Sequence, residues 1–431
     1  MAFDVRSFSE ICALGCADTP GIDSSAASQT RHDYDLRDPH LFLDPHPLLH
    51  RMRQDAPVHW SQQLESWVLT SYQDVCAALR DPRLSVVEEI KRIETLPASD
   101  QLALAPLRRT FTAWGDRGDP ERHALFLKLL KRHFTPQHVE AQRPRIQEIL
   151  DRLLDAAVRR GEIDVAHDIA HPLAMTVVAG MTGLPTEAVD LYLRCSNHIS
   201  QLLEMGDRDQ LFLCQQGMLE LSGFLMPVVA RRRRERGADL LGIFMEADPD
   251  GVQFSDEHIV AQCIMFLVVG YHTTANQLCN GLQILFDHAE ERARLTSDPT
   301  LLPNAFDEMM RYHGAVASVR RMAMVDLTIR NQQIRAGETL VLALAAANRD
   351  PSAFPAPDRF DITREEAHRQ VGFTIGPYSC MGQALARLEA QVFFRTLLDR
   401  FPRLRPRDAT PDWMSFRPLG RELRTLRVLF D

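Results

Sequence analysis

The sequence is short of cysteine for its length: eight in 431 residues, at positions 12, 16, 76, 195, 214, 263, 279 and 380. No two are spaced C-x-x-C, which excludes a zinc ribbon or a thioredoxin-type redox pair, and eight are too few for a disulfide scaffold. They are expected as reduced thiols, mostly buried as small apolar side chains. An excess of positive charge is also lacking. Lys and Arg number 49 against 58 Asp and Glu, a formal charge of −9, which argues against nucleic acid as a partner. Long apolar runs are missing too. The longest, Ile259 to Val269, is interrupted by Gln262 and followed by Tyr271-His272-Thr273-Thr274, whereas a membrane span needs about 20 apolar residues. Met1 to Phe8 carry no basic stretch leading into an apolar one, so the expectation is a cytoplasmic protein with no membrane association. No internal repeat and no linker rich in Pro, Gly and Ser divides the chain. One large domain is therefore the economical reading.

What is present is an ordinary globular composition, 45% hydrophobic and 25% charged. Residues 1–34 lack periodicity and are rich in Ser, Ala, Asp and Gly, the pattern of a flexible leader, with the domain at 35–431. Pro57 to Trp60 and Trp67 to Thr70 read as two strands joined by a turn. Ile146, Ile149, Leu150, Leu153, Leu154 and Ala157 share one helical face, with Gly161 as a stop. Arg231 to Arg234 read as a solvated helix end. Ser255 can cap a helix continuing to about Arg294, roughly 60 Å long, which must run through the core. Leu327 to Ile329 and Leu340 to Leu344 read as strands, with Ala336-Gly337 as a turn between them. The fold class is mainly α with a small β-sheet portion.

The chemistry concentrates near the C-terminus, in Phe373-Thr374-Ile375-Gly376-Pro377-Tyr378-Ser379-Cys380-Met381-Gly382. Leu385, Leu388 and Val392 form a helical stripe just beyond. Cys380 therefore sits at or before a helix N-terminus, where backbone N–H groups and the helix dipole favour thiolate. Gly376 and Gly382 leave room for close approach to the backbone. A thiolate in a glycine-lined loop suits a nucleophile or a soft metal ligand.

This stretch resembles the haem-binding signature of the cytochrome P-450 family, Phe-Gly-x-Gly-x-His/Arg-x-Cys-x-Gly. Further family features occur in order. Glu308-Met309-Met310-Arg311 matches its Glu-x-x-Arg motif, and Ala347 to Pro351 with Phe354 to Phe360 match the segment between. Gly270-Tyr271-His272-Thr273-Thr274 matches its central helix. Asp119 to His123 with Phe134-Thr135-Pro136 resembles its third helix, and Trp67 to Thr70 with Asp81-Pro82-Arg83 resembles its bacterial branch. The likeness runs from about residue 38 to 431.

The resemblance implies a role for each piece. Cys380 would be the axial thiolate of haem b (iron protoporphyrin IX), pushing electron density toward O–O cleavage. Phe373 would pack beside it. His123, Arg321 and Tyr378 would hold the propionates, although the family often has a basic residue at Tyr378 and another where Leu127 stands. Arg320 and Lys128 are possible substitutes. Glu308 and Arg311 would form a buried structural pair with Arg359 as third member and Arg364 as the alternative. Thr273, in unusual local helix geometry, would assist oxygen activation and proton delivery. The residue before it is normally acidic but here is His272, which either shuttles protons or marks altered chemistry. Val269, Gly270 and Ala315 to Ser318, including Val316, would line the substrate pocket. The regions Glu88 to Arg117 and Cys195 to Met226 would roof it. Electrons would come from a ferredoxin and its reductase, docking on Lys128, Lys131 and Arg132. The implied activity is O2-dependent oxidation of a small organic substrate, a hydroxylation in secondary metabolism. A haem-thiolate oxidation without oxygen insertion is the second reading, and a non-catalytic haem-binding protein the third.

Overall fold

The computed structural model describes residues 34–36, 44–86, 91–116, 120–160, 163–200, 207–235, 237–246, 254–415 and 419–430. The leader expected at 1–34, the stop at Gly161 and the motif residue Asp119 lie outside these, apart from Tyr34. The principal helices are α1 (His46–Asp55), α2 (Tyr72–Arg80), α3 (Ala98–Ala103), α4 (Ala105–Ala113), α5 (Pro120–His133), α6 (Arg143–Arg160) and α7 (His171–Thr182). They continue with α8 (Val189–Ser200), α9 (Arg208–Arg232), α10 (Asp256–Asp287), α11 (Ala289–Ser297), α12 (Leu302–His313) and α13 (Gln383–Arg400). The main strands are β1 (Val58–Ser61), β2 (Ser66–Leu69), β3 (Leu84–Ser85), β4 (Val319–Ala323), β5 (Leu327–Ile329), β6 (Gln332–Ile334), β7 (Thr339–Leu342), β8 (Asp412–Ser415) and β9 (Arg421–Thr425). Helix dominates, with a small β portion, as the periodicity predicts.

Helix α10 organises the interior. The Ser255 hydroxyl accepts from the His258 N–H at its start, and Asp256 and Glu257 in its first turn suit the dipole. Its 32 residues span about 48 Å, shorter than the expected helix to Arg294. The break is at His288, whose backbone leaves the helical region (φ −127°, ψ 71°). The His288 ring Nδ1 bonds the Ile284 carbonyl at 2.8 Å, which closes the end. The chain restarts as α11, so Arg294 belongs to a second helix. Helices α9 and α10 are each long and apolar enough by composition to cross a membrane. In α10, 78% of the apolar window is buried inside the fold, the mark of a core helix.

The apolar face of α6 is buried at Ile146, Ile149, Leu150, Leu154 and Ala157, and Leu153 packs at its margin. Helix α9 begins with a capping box, Asp207 and Gln210 bonding each other's backbone N–H. Its arginine-rich end is not simply solvated. Arg232 binds the Asp239 carboxylate at 2.7 Å and the Gly183 carbonyl at 2.8 Å, and Arg233 pairs with Asp256. Unsatisfied carbonyls and acidic caps nearby draw in two of the four cations.

The larger sheet has the order β1-β2-β7-β4-β3. Strand β2 runs parallel to β7, with Val68 opposite Val341, and the other pairs are antiparallel. Strands β5 and β6 form a separate hairpin. The turn at Ala336-Gly337 therefore joins β6 to β7, and Leu344 starts a short helix instead of ending the strand. Strands β8 and β9 form a C-terminal hairpin that packs on α10.

Candidate active site

The loop ahead of α13 is held by its own backbone. The Cys380 N–H donates to the Phe373 carbonyl at 2.9 Å, and the Ser379 N–H to Gly376 at 3.2 Å. The Thr374 hydroxyl donates to the Tyr378 carbonyl at 2.9 Å. Gly376 has φ +84°, and a Cβ there would lie 2.5 Å from the Leu79 carbonyl oxygen, so glycine is required twice over. Gly382 caps α13, and a Cβ on it would come only within 3.8 Å of the Cys380 sulfur. Cys380 is solvent-accessible, yet the protein around it still desolvates its sulfur. Burial pushes its thiol above the ordinary value, while the Gly382 amide, Arg387 and the Gln383 amide pull it down. Desolvation of the anion thus opposes the two amides and the nearby cation at this sulfur.

Phe373 packs against this loop from below. Its ring lies 4.8 Å from the Arg387 guanidinium carbon and 6.4 Å from the Phe306 ring. Arg387 is itself anchored to Asp307 at 2.7 Å.

Three residues far apart in sequence converge at Tyr378, on the loop that bears the thiol. The Arg321 guanidinium lies 5.3 Å from the Tyr378 ring centroid, and the His123 ring lies 6.0 Å from it. Arg321 is buried on β4 and donates to the Arg320 carbonyl at 2.8 Å. His123 Nδ1 bonds the Gly115 carbonyl at 2.6 Å, while its Nε2 is buried without a hydrogen-bond partner. With Nδ1 donating, an imidazolium would present its second N–H to an anion. An arginine, a phenol and a histidine with an orphaned nitrogen, gathered at the loop that bears an accessible thiol, fit a flat cofactor bearing two carboxylates. Leu127, one turn beyond His123, packs into the core, and Lys128 is exposed.

In the middle of α10 burial opens at Val269, 39% exposed, and at half-buried Gly270 and Thr273, with Val269 and Thr273 one turn apart on one face. One turn further, the Gln277 side chain accepts from the Ala315 N–H at 2.8 Å, which draws the segment carrying Val316 alongside that face. Val316 packs against the sheet cluster. Gly270 points elsewhere: a Cβ on it would meet Val178 of α7 at 2.7 Å. Its absent side chain lets α7 approach. The Thr273 hydroxyl donates to the Val269 carbonyl at 3.2 Å, and Thr274 does the same to Gly270 at 3.1 Å. The helix is continuous here, so the expected unusual geometry is absent. The backbone ladder and the i−4 hydroxyl bonds satisfy every carbonyl involved.

His272 turns away from that face and is buried. Its Nε2 lies 3.5 Å from Glu422 Oε2 on β9, and its ring is 6.0 Å from that of His171. Asn276 also donates to Glu422 Oε2. Sequence reasoning missed Glu422, because nothing in Arg421-Glu422-Leu423-Arg424 separates it from an ordinary charged strand.

The structural pair is formed with a different third member. Arg311 holds Glu308 bidentately, at 2.7 and 2.8 Å, with both side chains fully buried. Arg364 supplies the third contact at 3.2 Å. The Arg359 side chain is 67% exposed and pairs with Asp361. Only its carbonyl enters the network, accepting from Arg311 at 3.0 Å and Arg364 at 2.9 Å. The roof was legible only as two regions. Of those, residues 88–90, 117 and 201–206 lie outside the described set. Asp100 on α3 takes Arg208 of α9 at 2.6 and 2.8 Å, and Gln215 binds the Ala103 carbonyl at 2.9 Å.

A family model described as Cytochrome P450 matches residues 220–420. Cytochrome P450 107B1 of Saccharopolyspora erythraea is 36% identical over 383 residues, covering 87% of this chain and 91% of the relative. The 6-deoxyerythronolide B hydroxylase of the same organism is 32% identical, covering 86% and 92%. The epothilone B-bound structure of P450epoK superposes with a TM-score of 0.82 at 27% identity, covering 93% of this chain and all of that one. The likeness therefore spans the helical body, the sheet and the thiol loop together, and the chain belongs to the cytochrome P450 family as a haem-thiolate monooxygenase of secondary metabolism.

Proposed function

We propose that this monooxygenase binds haem b through Cys380 and hydroxylates an apolar secondary metabolite on the side of α10 that carries Val269 and Thr273, with Val316 alongside. The observation that carries this reading is the convergence of Arg321, His123 and Tyr378 on the loop that bears the accessible thiol. When bound, the haem supplies thiolate-tuned activation of dioxygen. Arg321, His123 and the Tyr378 hydroxyl hold its carboxylates. Gly376 and Gly382 keep the loop backbone clear of it, and Phe373 accepts the Cys380 N–H on its carbonyl, which fixes the loop. Thr273 offers a hydroxyl whose proton is committed to Val269 and whose lone pairs remain free to accept. His272, the preceding residue, turns its ring toward Glu422. Glu308, Arg311 and Arg364 hold the fold beneath the site. Val269, apolar and exposed on that face of α10, suits an apolar substrate. One relative is named a 6-deoxyerythronolide B hydroxylase and one similar structure holds epothilone B, which supports a polyketide-like substrate.

Electrons would come from a ferredoxin and its reductase, docking on the basic face of α5. Lys128, Lys131 and Arg132 are exposed on α5, and Arg132 already pairs with Glu246 at 2.8 Å. The two lysines would carry most of the docking. A cytoplasmic site suits such a partner. The test is spectroscopic. The reduced protein under carbon monoxide should absorb near about 450 nm, and Cys380→Ala should abolish the band. A fresh wild-type band near about 420 nm instead would overturn the thiolate assignment.

A further inference from the structure

Gln262 is the polar residue that interrupts the longest apolar run of the sequence, and near the start of α10 it is 0% exposed. A buried amide is tolerated only when both of its ends find partners. Here both partners are backbone of another segment, the turn Trp114–Asp116 that follows α4. Gln262 Oε1 accepts from the Gly115 N–H at 2.9 Å, and its Nε2 donates to the Ala113 carbonyl at 2.5 Å. That turn is costly to hold. Gly115 and Asp116 both lie in the left-handed region, at φ +63° and +52°, and a residue with a side chain stays there only where its surroundings fix it. Asp116 is buried, with Oδ2 3.0 Å from His258 Nε2 and Oδ1 3.4 Å from Arg122 Nε. The same His258 nitrogen lies 3.0 Å from Gln262 Nε2, so α10 grips the turn with two residues one helical turn apart. Gly115 is tied on both sides. Its N–H goes to α10, and its carbonyl accepts from His123 Nδ1 on α5 at 2.6 Å. That bond fixes the proton on Nδ1 and leaves Nε2 as the ring atom for a carboxylate.

We propose that Gln262 is a positioning residue for the haem carboxylates, acting through the Gly115 turn to aim His123. The inference rests on the reading above that His123 holds one of them. The Gln262 amide is occupied by the turn's backbone, so its influence on the cofactor passes through His123. Without it, the Gly115 N–H and the Ala113 carbonyl lose their partners on α10. The left-handed pair then relaxes and carries the Gly115 carbonyl away from the ring.

The test uses the full-length holoprotein and reads haem loss to excess apomyoglobin, with the haem-carboxylate bands of the resonance Raman spectrum as a second readout. Each variant is first checked for a retained carbon monoxide band near about 450 nm. Gln262→Met keeps the length of the side chain but neither bond, and should speed haem loss about fivefold. His123→Phe keeps a ring beside Phe126 and should speed it about tenfold or more. Because Gln262 acts through His123, the double variant should lose haem no faster than His123→Phe alone, and its carboxylate bands should match those of His123→Phe. Where Gln262→Met does not take up haem, Gln262→Glu, which keeps an oxygen for the Gly115 N–H, takes its place in the cycle. A further loss of about fivefold on adding Gln262→Met to His123→Phe would mean that Gln262 only supports the fold, and it overturns the proposal. Haem loss at the wild-type rate in His123→Phe overturns instead the reading that His123 holds a haem carboxylate, and the proposal falls with it.

Discussion

Gly376 and Gly337 both have φ +84°, but only Gly376 has a carbonyl oxygen, that of Leu79, where a side chain would begin. Both glycines escape the left-handed strain of about 1–3 kcal/mol that a side chain would bring. Gly376→Ala adds a clash against backbone and should release the thiol loop, lowering haem retention and the carbon monoxide band. Gly337→Ala meets nothing within 4 Å and should lower only the unfolding midpoint. Equal loss of the band in both variants would deny the loop its special packing. Residue type was readable here for a physical reason. A thiol, two glycines and a helix start are local, so Cys380, Gly376 and Gly382 stand out in the sequence. Glu422 does not, because its partners His272 and Asn276 are about 150 residues away and only the folded hairpin brings them together.

The Glu308–Arg311 pair was legible because both members lie on one helix, three residues apart, where side chains meet by geometry alone. Its third partner comes from an irregular segment, and there spacing says little about direction. Arg364 turns inward because three carbonyls, of Pro355, Ala356 and Arg359, await it beside Glu308. Arg359 gives the network its carbonyl and sends its side chain to solvent. Arg364→Ala should therefore destabilise the fold by about 3–5 kcal/mol, the cost of leaving buried charge and carbonyls unmatched. Arg359→Ala should stay within about 0.5 kcal/mol of wild type. Chemical denaturation of the two variants side by side checks this, and a reversed order would restore Arg359 to the network. Helix ends follow the same logic. The start of α10 is written in Ser255 and its acidic first turn, whereas its stop depends on a histidine ring folding back onto a carbonyl. Apolar periodicity continues across that break, so a pattern alone overruns it.

Across the molecule, burial makes the fold sensitive to acid. His46, His171 and His313 all have imidazoles pushed down by burial, His171 to about 4. The unfolded chain binds these protons near pH 6.5 and the folded chain does not, so stability is full above about pH 6.5 and falls as pH drops toward 4. His171 alone accounts for up to about 3 kcal/mol of that loss. Urea midpoints measured between pH 7 and 4 should fall steadily, and His171→Gln should flatten part of the slope. A midpoint independent of pH across that window would contradict the buried neutral state. The net charge of −9 and the scattered cysteines excluded whole classes of protein, and the order of five motifs pointed to one family. The helical class, the cysteine and its glycines, and the Glu308–Arg311 spacing were determined by the sequence itself, because each depends on neighbours within a few turns of chain. Tertiary structure alone decided that Arg364 joins that pair, that Gly270 serves helix packing, that Thr273 bonds back to Val269 and that His272 faces Glu422. Each of those outcomes depends on where distant backbone brings a carbonyl, a side chain or a buried charge, and on the need to satisfy it once water is gone.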